Sequence, residues 1–329
     1  MTCTRSHEVR VVAAALAALM LMSWSSVEAA TILVNCGVGG SGVGTAIQSA
    51  NPGDTVQVSG SCNEAVLIRN EKQRVTVDGG GTASIDGGTG TAITVRGKGI
   101  LIQNFTLTGE NGISVERGSN AVINNNTIQN ATTRGIVVNQ FALAIITNNL
   151  IENNGSDGIG VFDTSHARIG FNGSSDAAAS LNTIQNNGGR GILILRTSSA
   201  RIYGNTISNN ADDGVGVFRA SHAELSSNTI NGNGTAFQPG DLGGNGVSTA
   251  QNSSVQLGED NPVDFTDQPN TTTVNNANFG IRCSSGANVR GHLGSTNQLN
   301  GAVSQFGGGT TANTFAGSCP TAATSLVTP

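Results

Sequence analysis

From residue 112 onward the chain repeats a short phrase, Gly-Ile-x-Val or a close variant, at nearly constant intervals. The leading glycines are spaced 23, 23, 33 and 23 residues apart and are Gly112, Gly135, Gly158, Gly191 and Gly214. A second phrase, Asn-x-Ile, keeps the same intervals and begins at Asn126, Asn149, Asn182, Asn205 and Asn228. Because both phrases share one insertion, they indicate a repeated structural unit rather than chance composition.

Within each repeat the apolar residues alternate in short bursts, such as Ile113 with Val115 and Ala121 with Ile123. Alternation at every second residue is typical of β-strands, which Val, Ile and Thr favour. Bursts this short, separated by Asn and Gly, leave no room for helices. We therefore predict coils of three short strands, in which each strand pairs in parallel with its equivalent about 4.8 Å away.

Stacked coils place equivalent residues in columns along the axis. Two apolar columns are expected to face inward: Val115, Val138, Val161, Ile194 and Val217, and Ala121, Ala144, Ala167, Ala200 and Ala223. The asparagines of the second phrase form a column at a turn, where stacked amides hydrogen-bond to one another for about 0.5–1.5 kcal/mol each. Each leading glycine is expected to allow either a positive φ or a close backbone approach.

The consensus Asn-x-Ile-x-Asn-Asn-x-x-x-Gly-Ile-x-Val resembles the right-handed parallel β-helix repeat shared by pectate lyases, polygalacturonases and mannuronan C5-epimerases. The resemblance implies an all-β, single-stranded right-handed parallel β-helix over residues 64–290. Thr45–Ala50, followed by Asn51–Val56, resembles the short capping helix and first strand of that superfamily. We predict an N-terminal cap over 31–63 and a C-terminal cap with a free tail over 291–329.

Residues 1–30 have the pattern of a secretory signal peptide. Arg5 and Arg10 make a basic start, Val11–Met22 is apolar but too short to span a bilayer, and a small-residue cleavage site precedes Ala30. The mature protein is therefore expected to be secreted, either extracellular or periplasmic, with no later membrane span. Its net charge of −5 (14 basic minus 19 acidic residues) argues against nucleic-acid binding.

Four cysteines remain after removal of the leader: Cys36, Cys62, Cys283 and Cys319. Two lie near the start of the mature chain and two near its end. In an oxidising compartment the pairs Cys36–Cys62 and Cys283–Cys319 are expected. The alternative is a metal site, which neither a Cys-x-x-Cys motif nor a flanking histidine supports.

Three outward columns become charged between Asp163 and Glu224. They are counted from the five leading glycines and from Gly246. The column five residues after these glycines contains Arg117, Gln140, Asp163, Arg196, Arg219 and Gln251. The column eight residues after them contains Asn120, Leu143, His166, Ser199, His222 and Ser254, and the column ten residues after them contains Val122, Ile145, Arg168, Arg201, Glu224 and Gln256. Insertions at 170–179 and about 258–272 leave the same edge and would wall a groove. The candidate binding residues are His166, Arg168, Arg196, Arg201, Tyr203, Arg219, His222 and Glu224.

Two chemical interpretations of this groove stay open. Arg168 above Arg201, and Arg196 above Arg219, are stacked like charges that a bound anion such as a uronate carboxylate would neutralise. Alternatively the side chains extend into water, with Arg201–Glu224 and Asp163–Arg196 as ordinary surface pairs. His166 and His222 are either general acids or bases, or surface histidines.

No metal or cofactor is expected. One acidic loop contains Glu259, Asp260, Asp264 and Asp267, but it lacks the dense spacing of a calcium site.

The catalytic motifs of the related enzymes are missing from the sequence. The epimerases contain an Asp-Pro-His-Asp motif, which is absent here, although Asp163–His166 is partly similar to it. Asp212 and Asp213 do not reproduce the paired aspartates of the polygalacturonases. The mature chain also has no Trp and only Tyr203 as tyrosine.

The sequence thus favours a secreted β-helix that binds an extracellular polysaccharide, and its stacked arginines suit an acidic one. One alternative is a polysaccharide lyase or uronate C5-epimerase, and another is a non-catalytic structural or adhesive surface protein. Catalytic residues and oligomeric state stay open.

Overall fold

The computed structural model describes residues 28–40, 42–171, 180–238, 243–258, 271–274, 276–278, 280–292 and 314–318. These residues form one short helix, α1 (Val43–Ser49), and a series of mostly short strands. In chain order the strands are β1 (Thr31–Gly40), β2 (Thr55–Asn63), β3 (Val66–Ile68), β4 (Thr76–Asp86), β5 (Ile93–Val95), β6 (Ile100–Thr108), β7 (Ile113–Val115), β8 (Asn120–Asn124), β9 (Thr127–Gln129), β10 (Ile136–Val138), β11 (Leu143–Thr147), β12 (Leu150–Glu152), β13 (Ile159–Val161), β14 (His166–Ile169), β15 (Thr183–Gln185), β16 (Ile192–Leu195), β17 (Ser199–Tyr203), β18 (Thr206–Ser208), β19 (Val215–Phe218), β20 (His222–Ser226), β21 (Thr229–Asn231), β22 (Val247–Thr249), β23 (Ser254–Leu257), β24 (Thr271–Val274), β25 (Ile281–Cys283), β26 (Asn288–His292) and β27 (Thr314–Ser318).

The strands stack as the repeat predicts, in a right-handed parallel β-helix with three strands per coil. One row is a nine-stranded parallel sheet that runs from β3 to β25 and contains the Gly-Ile-x-Val strands. The two other rows are joined in one sheet, because the long strands β2, β4 and β6 span both of them. We call the row that contains β8, β11, β14, β17, β20 and β23 the second row. The predicted fold is confirmed.

Both predicted apolar columns face the core, and their register is the one expected from the sequence spacing. Val115 pairs with Val138 and Val138 with Val161, and all three are fully buried. The alanine column pairs in the same way, with at most 4% of any member exposed. Burying one apolar residue per strand in each column supplies a continuous core along the axis.

The predicted asparagine column forms a buried hydrogen-bonded ladder. Asn149 Nδ2 donates to Asn182 Oδ1 at 3.0 Å, and Asn182 Nδ2 donates to Asn205 Oδ1 at 2.9 Å. A second, parallel ladder five residues later joins Asn154, Asn187, Asn210, Asn233 and Asn276. Each ladder satisfies backbone groups at a turn that would otherwise lie buried without partners.

Close packing explains the leading glycines, whereas positive φ does not. None of the five has a positive φ. A Cβ added to Gly135 would lie 2.6 Å from the carbonyl oxygen of Gly158 and 2.6 Å from Ile151 Cγ2. The turn therefore brings the next coil too close for any side chain.

The predicted capping helix is present and begins two residues earlier than the Thr45 start. The Glu64 carboxylate accepts hydrogen bonds from the first backbone amides of the helix, those of Gly42, Val43 and Gly44. Cys36 and Cys62 form the predicted disulfide, with a Cα–Cα distance of 5.1 Å. Cys283 is buried, but Cys319 lies outside the described residues, so the second pair stays a prediction.

At the other end, β26 pairs with β27, and the two strands are antiparallel. All the other strand pairs among the described residues are parallel. The antiparallel strand β27 therefore covers one edge of β26.

Candidate functional site

Six of the eight candidate residues lie together on the outer surface of the second row. β14, β17 and β20 are in register, with His166 opposite Ser199 and Arg168 opposite Arg201. Outward side chains alternate with buried alanines and aliphatic residues, as a half-buried strand requires. We call this surface the cationic face and define it by His166, Arg168, Arg201, Tyr203, His222 and Glu224.

An aromatic ring lies beneath the two stacked arginines. The guanidinium carbon of Arg168 is 5.6 Å from the ring centroid of Phe171, and that of Arg201 is 5.2 Å from it. Phe171 is completely buried and meets Tyr203 edge-on, with centroids 6.2 Å apart. Each cation–ring contact contributes about 0.5–2 kcal/mol, so the ring offsets part of the repulsion between the two like charges.

The ion pairs of the solvated interpretation also form. Arg201 Nε lies 2.7 Å from Glu224 Oε2, and Arg196 Nη1 lies 3.3 Å from Asp163 Oδ1. The neighbouring imidazole of His222 and the guanidinium of Arg201 hold the pKa of the Glu224 carboxyl below its ordinary value, against the opposing effect of partial burial. Glu224 is therefore an anion at neutral pH and partly compensates the arginines.

Both histidines of the cationic face contact serines of the next coil. His166 Nδ1 lies 2.6 Å from Ser199 Oγ, and His222 Nδ1 lies 2.8 Å from Ser254 Oγ. His222 Nε2 is 3.6 Å from Glu224 Oε1, which is beyond a good hydrogen bond. Each contact ties one imidazole ring to the next coil.

A shallow cavity of about 160 Å³ opens beside Arg201, Tyr203 and Glu224. Phe171 and Gly258 also line it, and these residues belong to the beginnings of the two insertions. Residues 172–179 of the first insertion and 259–270 of the second lie outside the described residues, as do the acidic side chains considered for calcium. Among the described residues, one residue of each insertion, Phe171 and Gly258, therefore lines the same cavity.

Arg196 and Arg219 do not lie on the strands of the cationic face. Both occupy turns that precede these strands, with left-handed φ values of 60° and 57°. Arg196 instead lines a larger cavity of about 540 Å³ on the outside of the nine-stranded sheet. Arg219 is exposed at the equivalent turn of the next coil.

The larger cavity is balanced in charge. Three arginines and three carboxylates line it: Arg96, Arg134, Arg196, Glu110, Glu116 and Asp163. Arg96 Nε lies 2.7 Å from Glu116. The floor is apolar and includes Val137, Phe162 and Leu193, each 7–8% exposed.

Sequence reasoning missed this second surface and the charged column beside it. The residues before the last four leading glycines are, in successive coils, Arg134, Asp157, Arg190 and Asp213. In the structure Arg134 pairs with Asp157 at 2.9 Å, and Arg190 pairs with Asp213 at 3.1 Å. Arg134 and Arg190 also cover the rings of Phe162 and Phe218, at 5.1 and 5.2 Å.

A sequence signal for this surface exists. The pattern Gly-x-Gly-Val-Phe occurs twice, ending at Phe162 and at Phe218. A Cβ on Gly160 would lie 2.4 Å from the Phe162 ring. The middle glycine of the pattern therefore lets the ring lie flat on the sheet.

Within the described ranges, no group of three or more His, Cys, Asp or Glu side chains converges as metal ligands. None of the helical structure in those ranges has the length and hydropathy needed to cross a bilayer.

The geometry and the repeat together define the class of protein. Residues 26–172 and 165–318 match the family described as right handed beta helix region. Since these matches cover most of the sequence, the chain belongs to the right-handed β-helix family. No curated protein matches the chain significantly.

Solved β-helix structures resemble the chain at low sequence identity. A pectate lyase gives a TM-score of 0.52 at 13% identity, covering 82% of this chain and 79% of the lyase. A variant of a periplasmic alginate epimerase gives 0.50 at 14% identity, covering 80% of this chain and 65% of the epimerase. An alginate lyase from Paenibacillus sp. str. FPU-7 gives 0.46 at 16% identity, covering 76% of this chain and 99% of the lyase. At such identities the likeness concerns the fold.

Proposed function

We propose that this protein is an exported β-helix that binds an acidic extracellular polysaccharide through the cationic face. The observation that carries the proposal is the pair Arg168 and Arg201, held over Phe171 beside a cavity that Phe171 and Gly258 also line. Planar guanidinium groups match carboxylates in geometry and charge. Export is supported by the basic and apolar leader and by the Cys36–Cys62 disulfide, which requires an oxidising compartment.

Charge decides between the two surfaces. Two stacked arginines and one carboxylate lie on the described part of the cationic face. The lining of the larger cavity has as many carboxylates as arginines and suits a neutral ligand better. The pectate lyase and alginate epimerase that share the fold make pectate and alginate the first polymers to test.

The test is calorimetric titration of the protein with pectate and alginate oligosaccharides. The double variant Arg168→Ala plus Arg201→Ala is expected to weaken binding by at least about tenfold, since a charge-assisted hydrogen bond contributes about 1.5–3 kcal/mol. The matched control is Arg69→Ala plus Arg117→Ala, which removes two exposed arginines elsewhere.

Equal loss in both double variants would mean unspecific attraction by charge and would contradict the proposal. Absence of binding by the wild type would favour a structural or adhesive surface protein instead. Release of unsaturated products, followed by ultraviolet absorbance, would identify a lyase that uses His166 or His222.

A further inference from the structure

A nearly buried carboxylate lies beside the first strand and belongs to neither the cationic face nor the larger cavity. Asp54 is 2% exposed and directly precedes β2, in the turn that follows α1. Its Oδ2 accepts a hydrogen bond from the backbone N of Asn51, and its Oδ1 accepts one from the backbone N of Ala30, both at 2.8 Å. One side chain thus joins the turn after the capping helix to the residue that precedes β1.

The groups that bind this carboxylate in the unprocessed chain are neutral. Hydrogen bonds from the amides of Ala30 and Asn51 hold the pKa of the Asp54 carboxyl below its ordinary value, so the group is an anion at neutral pH. Buried charges are usually paired, and a hydrogen bond between two ions is stronger than one from a neutral amide. A cation at the position of the Ala30 nitrogen therefore suits this site better than the amide does.

Removal of the predicted leader places a cation at this nitrogen. The predicted cleavage site precedes Ala30, and Glu28, Ala29 and Ala30 are all exposed, so a peptidase can reach the bond. Hydrolysis breaks the Ala29–Ala30 peptide bond, consumes one water, and leaves a carboxylate on Ala29 and an ammonium group on Ala30. The amine is protonated at neutral pH because the pKa of an α-amino group in peptides is about 7.7–8.0.

We propose that the ammonium group of Ala30 in the processed protein forms an ion pair with the Asp54 carboxylate and anchors β1 to the first coil. This inference rests on the export that the proposed function includes, and not on polysaccharide binding. Thr31 pairs with Thr55, and the Thr55 backbone N donates to the Ala30 carbonyl oxygen at 2.8 Å. Cleavage one residue later would remove both contacts of Ala30, so the structure favours the bond before it.

The first measurement identifies the new N-terminus. The full chain is expressed in an exporting bacterial host, and the N-terminal peptide of the exported protein is identified by mass spectrometry. We expect it to begin at Ala30. Another first residue would overturn the proposal, and a chain that retains its leader would contradict the export on which both proposals rest. Titration with pectate and alginate oligosaccharides tests the cationic face separately, because that face is distant from β1 in the order of coils.

The second measurement compares amide hydrogen exchange in β1 between the processed protein and the same protein selectively acetylated at its N-terminus. Acetylation keeps an N–H donor on Ala30 but removes the charge. The Cys36–Cys62 disulfide keeps β1 attached in both forms, so exchange over residues 31–35 reports how firmly this end is anchored. We expect acetylation to speed exchange there about threefold, the effect of a partly exposed ion pair.

Two variants assign the effect to its carboxylate. Asp54→Asn keeps an oxygen acceptor for the Ala30 nitrogen but removes the charge, so acetylation should no longer change the exchange in β1. Asp86→Asn removes an exposed carboxylate from β4 and, as the matched control, should retain the full difference. Equal exchange in the processed and acetylated proteins would overturn the ion pair. A difference that persists in Asp54→Asn would assign the effect to another group and equally contradict it.

Discussion

Asp213 is the most enclosed carboxyl of the charged column beside the nine-stranded sheet, with 1% of its surface exposed. Asn245 donates to its Oδ1 through both the backbone N and Nδ2, at 3.0 and 2.7 Å. Burial, together with the neighbouring carboxylate of Asp212, raises the pKa of Asp213 despite the opposing effects of Arg190 and Asn245. The folded protein therefore takes up a proton here more readily than the unfolded chain does.

This shift predicts a pH-dependent difference between the wild type and Asp213→Asn. Because the pKa is higher in the folded state, the wild type gains stability from this group as pH falls through the folded pKa toward the unfolded value of 3.8. The asparagine variant lacks that gain. Thermal unfolding from pH 7 downward should thus show the melting temperature of the wild type rising relative to the variant.

Comparing the melting temperatures of the two proteins at the same pH cancels the contributions of most other titrating groups, because both proteins contain those groups. A wild-type melting temperature that stays constant or falls relative to that of the variant on acidification would show that the Arg190 pair balances or outweighs burial at Asp213.

The asparagine ladders are the elements that hold successive turns at a fixed spacing. Asn182 Nδ2 donates to Ile146 O and to Asn205 Oδ1, while its own Oδ1 accepts from the backbone N and Nδ2 of Asn149. All these groups are buried. One side chain thus satisfies partners in both neighbouring coils.

Replacing this ladder residue by Asn182→Ala is expected to destabilise the protein by about 2–4 kcal/mol, because buried donors and an acceptor lose their partners. The control Asn35→Ala removes an exposed amide from β1 and should change the free energy of unfolding by less than about 0.5 kcal/mol. Urea-induced unfolding measures both. Equal effects in the two variants would mean that the ladder contributes no more than a surface amide.

Over the whole molecule, the repeat predicts the fold and the register of the strands very well. The sequence spacing places Arg168 beside Arg201 and His222 beside Ser254, and the structure has the same pairs. A period of 23 residues leaves no freedom in register, because a slip of one residue would turn each apolar column outward. The domain boundaries stay a prediction.

Details that depend on side-chain packing were not predictable in this way. Phe171 follows β14, outside the repeated phrases, and nothing in the spacing shows that its ring lies under two arginines. Arg196 and Arg219 share a column with the right charge, but their left-handed turns set them apart from the strands of the cationic face. The larger cavity owes its charged lining to residues outside the repeated phrases, such as Arg96, Glu110 and Glu116, so the spacing of the phrases does not indicate it.

The central claim is that an acidic polysaccharide occupies the cationic face and not the nine-stranded sheet. Arginine-selective labelling with phenylglyoxal, read by mass spectrometry with and without a tetra-uronate, tests it most directly. The account predicts that the ligand protects Arg168 and Arg201 several-fold and leaves Arg96 and Arg134 unchanged. Protection confined to Arg96 and Arg134 would contradict it and move the site to the nine-stranded sheet.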